Sequence, residues 1–166
     1  GGLTNTLRFK GFDFTTFFNF SYGNKVLIDG LGFTENMGGT FNKSTDLLNY
    51  WRQPGDNAFA PGLNRATAGA GRFNQLSDFR LLNGSYLRLR TVTLGYNAPK
   101  SLLQKTRAIE SLRVYVLAQN FLTIKGKDFR GPDPEVSASG QSNQVLGESF
   151  FALPQAKTFT IGLNVG

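Results

Sequence analysis

The stretch that most constrains this chain is Ser85-Tyr86-Leu87-Arg88-Leu89-Arg90-Thr91-Val92-Thr93-Leu94-Gly95-Tyr96-Asn97-Ala98-Pro99. Strands in globular proteins usually run about 5–6 residues, and this segment, rich in β-branched and aromatic side chains, is much longer. From Thr91 onward Val92, Leu94 and Tyr96 share one face, and Thr91, Thr93, Gly95 and Asn97 share the other. Before Arg90 the phase is opposite, with Leu87 and Leu89 apolar and Arg88 and Arg90 charged. A period-two strand whose apolar phase flips requires one of two things. Either it contains a bulge, or its surroundings change along its length, as when a strand leaves lipid and continues as a protein-covered wall. Pro99 ends the run, because it cannot donate to a ladder.

Other segments alternate in the same way. Leu3, Leu7 and Phe9 oppose Thr4, Thr6, Arg8 and Lys10, and a tight turn is expected at Lys10-Gly11. In the next strand Phe12, Phe14, Phe18, Phe20 and Tyr22 share a face interrupted only by Thr16, while Asp13, Thr15, Asn19, Ser21 and Phe17 share the other. That span matches the ~9–11 residues with which a tilted strand crosses hydrocarbon. Leu112 to Leu122 places Val114, Val116 and Ala118 opposite Arg113, Tyr115, Leu117 and Gln119. Ala156 to Gly166 sets Phe159, Ile161, Leu163 and Val165 against Thr158, Thr160, Gly162 and Asn164.

Between these strands lie two long stretches rich in turn formers, residues 24–80 and 125–153. The first carries one helical candidate, Thr45 to Trp51, capped by Ser44 or Thr45, with Asp46 suited to the first-turn dipole and Pro54-Gly55 as its stop. A shorter connector, Lys100 to Glu110, has room for a helical turn at Ser101 to Lys105. Long connections therefore alternate with short ones. This is the pattern of an up-and-down antiparallel sheet with one loop-rich side, and it puts the C-terminus on the short-turn side. The reading is all-β, with about five strands where the smallest bacterial barrels need ~8. The chain is thus expected to be a portion of a large transmembrane β-barrel.

Composition agrees. The 166 residues include 16 Phe and 20 Gly, with 17% charged residues against roughly 25% in ordinary soluble domains. The absence of Cys and His removes disulfides and thiolate metal sites. The net charge is +7, but without a basic run it does not outline a nucleic-acid footprint. No nucleotide-binding fingerprint is present, and Gly69-Ala70-Gly71 reads as loop punctuation. The carboxylates are scattered. Asp128 and Asp133-Pro134-Glu135 could in principle ligate a cation through oxygen, but a turn with solvated carboxylates is the expectation. The chain reads as non-enzymatic, with no cofactor.

Candidate binding residues are Asn49, Tyr50, Trp51, Arg52 and Asn57 in the first long loop. Their aromatic faces and amides suit sugar rings or peptides. The alternative is that Trp51, following Leu47-Leu48, only pins the helix to the wall. Inward-facing Arg88, Arg90 and Arg113 are expected to meet acidic groups outside this chain. The lipid-facing set is Phe14, Phe18, Phe20, Val92, Leu94, Tyr96, Phe159, Ile161, Leu163 and Val165. A secreted β-sandwich lectin using the Trp51 loop, and a passive porin or adhesin barrel, remain alternatives on these residues alone.

The order of several motifs resembles one family. They are Ser85 to Pro99, Ser111-Leu112-Arg113-Val114-Tyr115-Val116-Leu117-Ala118-Gln119-Asn120, Asp133-Pro134-Glu135-Val136 and Pro154 to Val165. Gly1-Gly2-Leu3-Thr4-Asn5 and Ser21-Tyr22-Gly23-Asn24-Lys25 fit upstream. Together they resemble the C-terminal end of SusC/RagA-type TonB-dependent outer-membrane transporters of Bacteroidota. The resemblance implies a barrel of about 22 strands with a plugged lumen and active import of large nutrients, oligosaccharides or peptides. It implies a SusD-like surface lipoprotein over the extracellular mouth, and a TonB complex acting through a plug and TonB box that these residues do not include. On that reading residues 24–80 and 125–153 are extracellular loops and the C-terminus is periplasmic. The start at Gly1, without Met or export signal, is expected to mark a processed or partly traced piece. The odd-numbered face of the last strand is expected to continue past Gly166 to an aromatic residue.

Overall fold

The computed structural model describes residues 1–37, 40–62, 75, 77–104, 109–135, 138 and 147–166. The readings made above for Gly69-Ala70-Gly71, Lys105 and Val136 lie outside them. The chain divides into two compact units.

The first unit comprises Gly1–Asn24, Gly84–Phe129 and Pro154–Gly166. Its sheet contains β1 (Gly2–Phe9), β2 (Phe12–Ser21), β5 (Tyr86–Asn97), β6 (Leu112–Lys125) and β8 (Thr158–Val165). They are joined antiparallel in the order of the chain. This is the expected up-and-down arrangement of about five strands. Lys10 and Gly11 both have positive φ, 46° and 88°, as a two-residue primed hairpin turn requires. A Cβ on Gly11 would also lie 2.8 Å from the Asn97 carbonyl. Beyond Pro99, α2 (Lys100–Leu103) supplies the helical turn expected of the connector.

The phase flip in β5 is a bulge. Phe18 pairs with Leu89 and Thr16 with Val92, so β5 carries one more residue than β2 across that interval. The extra residue is Arg90, which shares the polar face with Thr91. A second shift follows, because Leu89 pairs with Leu122 and Val92 with Ala118. There Asn120 takes a φ of 52°, and its amide oxygen lies 3.4 Å from Arg90 Nη1. The apolar face is therefore continuous. Leu7, Phe14, Leu94, Val116 and Ile161 lie in one cross-strand row, and Leu3, Phe18, Leu89 and Leu122 in another. β6 runs to Lys125, three residues past its expected end at Leu122, because Thr123, Ile124 and Lys125 pair with Arg88, Leu87 and Tyr86.

The second unit comprises Lys25–Asn83 and Arg130–Leu153. It corrects the reading of the two long stretches as loops without strands. A three-stranded sheet contains β3 (Lys25–Ile28), flanked by antiparallel β4 (Leu81–Asn83) and parallel β7 (Glu148–Ser149). Val26, Ile28, Leu47 and Ala60 are buried. The helical candidate is a 3-10 turn, Thr45–Leu48, with the Ser44 hydroxyl accepting from the Asp46 amide at 3.2 Å. It starts where expected and stops well before Pro54. The Asn49 carbonyl is taken by the amides of Phe59 and Ala60, at 2.9 and 3.0 Å, so the helix cannot continue through Tyr50 and Trp51. One further turn, α1 (Leu31–Thr34), positions Glu35 by a bond from the Glu35 amide to the Leu31 carbonyl, 2.8 Å.

Candidate functional site

Of the candidate binding residues, Asn49, Tyr50, Trp51, Arg52 and Asn57 all lie in one closed turn, between the 3-10 helix and Ala60. Tyr50 bridges Ala60, and the Trp51 amide donates to the Ala60 carbonyl at 2.8 Å. The Asp56 carboxylate accepts from the amides of Arg52 and Gln53, at 2.9 and 3.1 Å. The Arg52 guanidinium rests over the Tyr50 ring at 4.9 Å. Trp51 stays 44% exposed, with its ring edge against Gly62, where a Cβ would approach to 3.0 Å. The turn presents an indole and amides on a backbone fixed by its own hydrogen bonds, an arrangement able to meet a ring or a peptide. Trp51 lies just past the end of the 3-10 helix, Thr45–Leu48.

Sequence reasoning missed the charged centre beneath this turn. Glu35 is fully buried and accepts from Arg130 Nη1 at 2.7 Å. Arg130 also donates to the Phe79 carbonyl at 2.8 Å. Its guanidinium lies over the rings of Phe59 and Phe79, at 4.9 and 4.6 Å. Arg80 is buried as well, in the space that Gly32 leaves open. Burial pushes the Glu35 carboxyl above its ordinary range, and the opposing pull of Arg130 and Arg80 does not fully offset it. Arg130 and Glu35 are 95 residues apart, which no local spacing could reveal. Asp133 corrects another expectation. It is buried rather than solvated, and its carboxylate accepts the Glu135 amide at 3.0 Å. Among the described residues no group of three or more carboxylates, His or Cys is arranged to hold a metal.

On the polar face of the sheet, Arg113 pairs with Asp13 of the same chain, correcting the expected partner outside it. Asn97 donates to the same carboxylate at 3.0 Å. The pair reaches from β2 to β6 across Gly95, where a Cβ would lie 2.7 Å from Asp13 Oδ1. Tyr115 then covers Gly162 so closely that any Cβ there would overlap the ring. Thr6 and Thr15 share a hydroxyl contact of 3.2 Å. Asn19 donates to the Tyr86 hydroxyl at 3.1 Å.

The residues expected to meet lipid all lie on the opposite face. Phe14, Leu94 and Ile161 occupy one row, Tyr96 and Leu163 the next, Phe159 pairs across from Ala118, and Val92 from Thr16. Phe18 and Phe20 continue the face beyond the bulge opposite Leu89 and Leu87, and Val165 closes it opposite Leu112. The Phe12 and Tyr96 rings meet at 4.6 Å at the turn end of this face. No helix of the described residues is long and apolar enough to cross a membrane.

No family model matches the chain. A TonB-dependent receptor of Formosa agariphila is 34% identical over 168 residues, covering 99% of this chain and 16% of that protein. The TonB-dependent receptor SusC of Bacteroides thetaiotaomicron is 31% identical over 166 residues, covering 99% of this chain and 14% of SusC. Among solved structures, the RagAB peptide importer in its open-open state superposes with a TM-score of 0.81 at 29% identity, over 99% of this chain and 16% of that one. Its closed-closed state gives 0.80. The chain spans about one sixth of the length of these relatives. They are named as receptors and importers rather than enzymes. A closed soluble sandwich is thereby set aside as the fold. Sequence and structural likeness cover the same 99% of the chain, and they place it with the SusC/RagA-type TonB-dependent transporters of the outer membrane, as a length of their β-barrel.

Proposed function

We propose that this chain forms part of the wall and outer loops of an active importer of large nutrients, oligosaccharides or peptides. A SusD-like surface lipoprotein closes the extracellular mouth. The TonB complex supplies energy through a plug and TonB box in other parts of the protein. Residues 24–80 and 125–153 are extracellular, the C-terminus is periplasmic, and the Tyr50-Trp51-Arg52 turn contacts substrate or lid. No catalytic role is assigned to any residue.

One observation carries the membrane part of this reading: the apolar face stays continuous across five strands although the sequence phase of β5 flips. A continuous apolar face of this extent needs an apolar surrounding, and hydrocarbon supplies one. Import rather than passive diffusion is favoured by likeness to SusC and to the RagAB peptide importer. The wall is tested by Phe18→Arg and Asn19→Arg in the full-length protein, measured as folded yield in lipid. Phe18→Arg should cost roughly 2–4 kcal/mol if it lies near midplane, and Asn19→Arg far less. Equal tolerance at the two positions refutes the lipid face.

A further inference from the structure

We propose that Arg130 is a positioning residue for the Trp51 turn, so that the second long loop sets the shape in which the first presents its binding surface. The proposal rests on the reading of that turn as a contact for substrate or lid, and adds which residue controls it.

The connection is short and continuous. Arg130 enters from the second loop and is held by three features of the first: the Glu35 carboxylate, the Phe79 carbonyl and the Phe59 ring. Phe59 is the base of the Trp51 turn. Its amide donates to the Asn49 carbonyl, as does that of Ala60, and the Ala60 carbonyl receives the Trp51 amide. Phe59 also stacks with Phe79 at 5.2 Å, so both rings that flank the turn's base lie against one guanidinium. Asp56 closes the tip independently. The tip is thus set by the turn itself, and its base by a residue far along the chain. A planar guanidinium can satisfy Glu35 and a carbonyl while stacking on rings; an ammonium can keep the charge but not the stacking.

Arg130→Lys is therefore the informative variant. It keeps a cation opposite Glu35, so the unit should still fold. Phe59→Leu removes the same stack from the other side. Hydrogen exchange on the full-length protein in lipid reads the result. The amides of Trp51 and Ala60 should exchange about tenfold faster in both variants. Leu27 and Asp29, whose amides are held by Gly147 and Ser149, should be unchanged. Uniform acceleration across both sets, or none at Trp51 and Ala60, overturns the proposal. Binding of a tryptic casein digest and of maltoheptaose, measured with the surface lipoprotein present, provides the second arm. If Trp51→Ala weakens capture of either probe, Arg130→Lys should weaken the same one, and the double variant should be no worse than Trp51→Ala alone. Additive losses overturn the proposal. If Trp51→Ala changes neither probe, the contact role of the turn fails, and the exchange data still decide whether Arg130 positions it.

Discussion

The five-stranded sheet and the loop unit solve the same problem in opposite ways. The sheet gathers most of its large apolar side chains on one face, leaving Phe159, Ile161 and Leu163 exposed, and keeps Asp13, Arg113, Asn97, Thr6 and Thr15 on the other. The loop unit buries Val26, Ile28 and Leu47 and encloses Glu35, Arg80 and Asp133 with them. The first needs a surrounding that is itself apolar, while the second is built like a small water-soluble domain. Assembly in lipid and order in the loops should therefore respond to different substitutions.

The sharpest test of that separation is the loop core. Ile28→Ala should destabilise the loop unit by about 2–5 kcal/mol, because Ile28 is almost fully buried. Ile161→Ala on the apolar face of the sheet, 79% exposed within this chain, should leave loop protection unchanged. Protease nicking within residues 25–83, set against heat-modifiable barrel mobility on a gel, separates the two. A collapse of barrel yield in Ile28→Ala would erase the distinction. Next in size is Gly162→Ala, which forces the Tyr115 ring off its seat and should cost about 1–3 kcal/mol. Tyr115→Ala in the same background should recover much of that loss in a thermal melt. The sheet alone should respond.

The smallest effect is pH-dependent and confined to the loops. The folded state holds the Glu35 carboxyl above its ordinary value of 4.5, so the folded unit binds that proton more tightly than the unfolded chain does. The resulting stability is fully present below about pH 4.5 and is lost as pH rises through the raised folded value. Loop protection against exchange, corrected for intrinsic rates, should rise as neutral solution is acidified toward that range. Glu35→Gln should flatten the trend, and an unchanged trend in that variant would assign it to another group.

What was legible in the sequence follows the same division. Strand alternation is local, so Phe12 to Tyr22 and Phe159 to Val165 declared their faces unaided, and Lys10-Gly11 declared its turn. The flip at Arg90 was visible, but its cause was not, since a bulge is a relation between strands. The helix at Thr45 was legible at its start, where Ser44 caps it, and misread at its end, where a carbonyl is claimed by amides ten residues on. Nothing local marks Arg130 as the partner of Glu35. Position in the fold made the charged centre of the loops, and the sequence around each residue resembles ordinary polar loop.

The bulge at Arg90 also imposes a parity on the chain. From Phe18 to Thr16 β2 takes two steps, β5 takes three from Leu89 to Val92, and β6 takes four from Leu122 to Ala118. The odd count belongs to β5 alone. Were those three steps pleated regularly, Leu87 and Leu89 would fall on the polar face and Arg88 on the apolar one. The bulge absorbs the extra residue, so that deleting Arg90 alone would leave Leu87 and Leu89 opposite Phe20 and Phe18. In β6 the surplus is even, so its side chains keep step on both sides of Asn120. A single insertion or deletion in a regular part of these strands inverts the faces beyond it, whereas loss of the one extra residue at Arg90 removes the bulge and keeps them. The place where the written pattern looks broken is thus a place where one residue can be lost without inverting the strand.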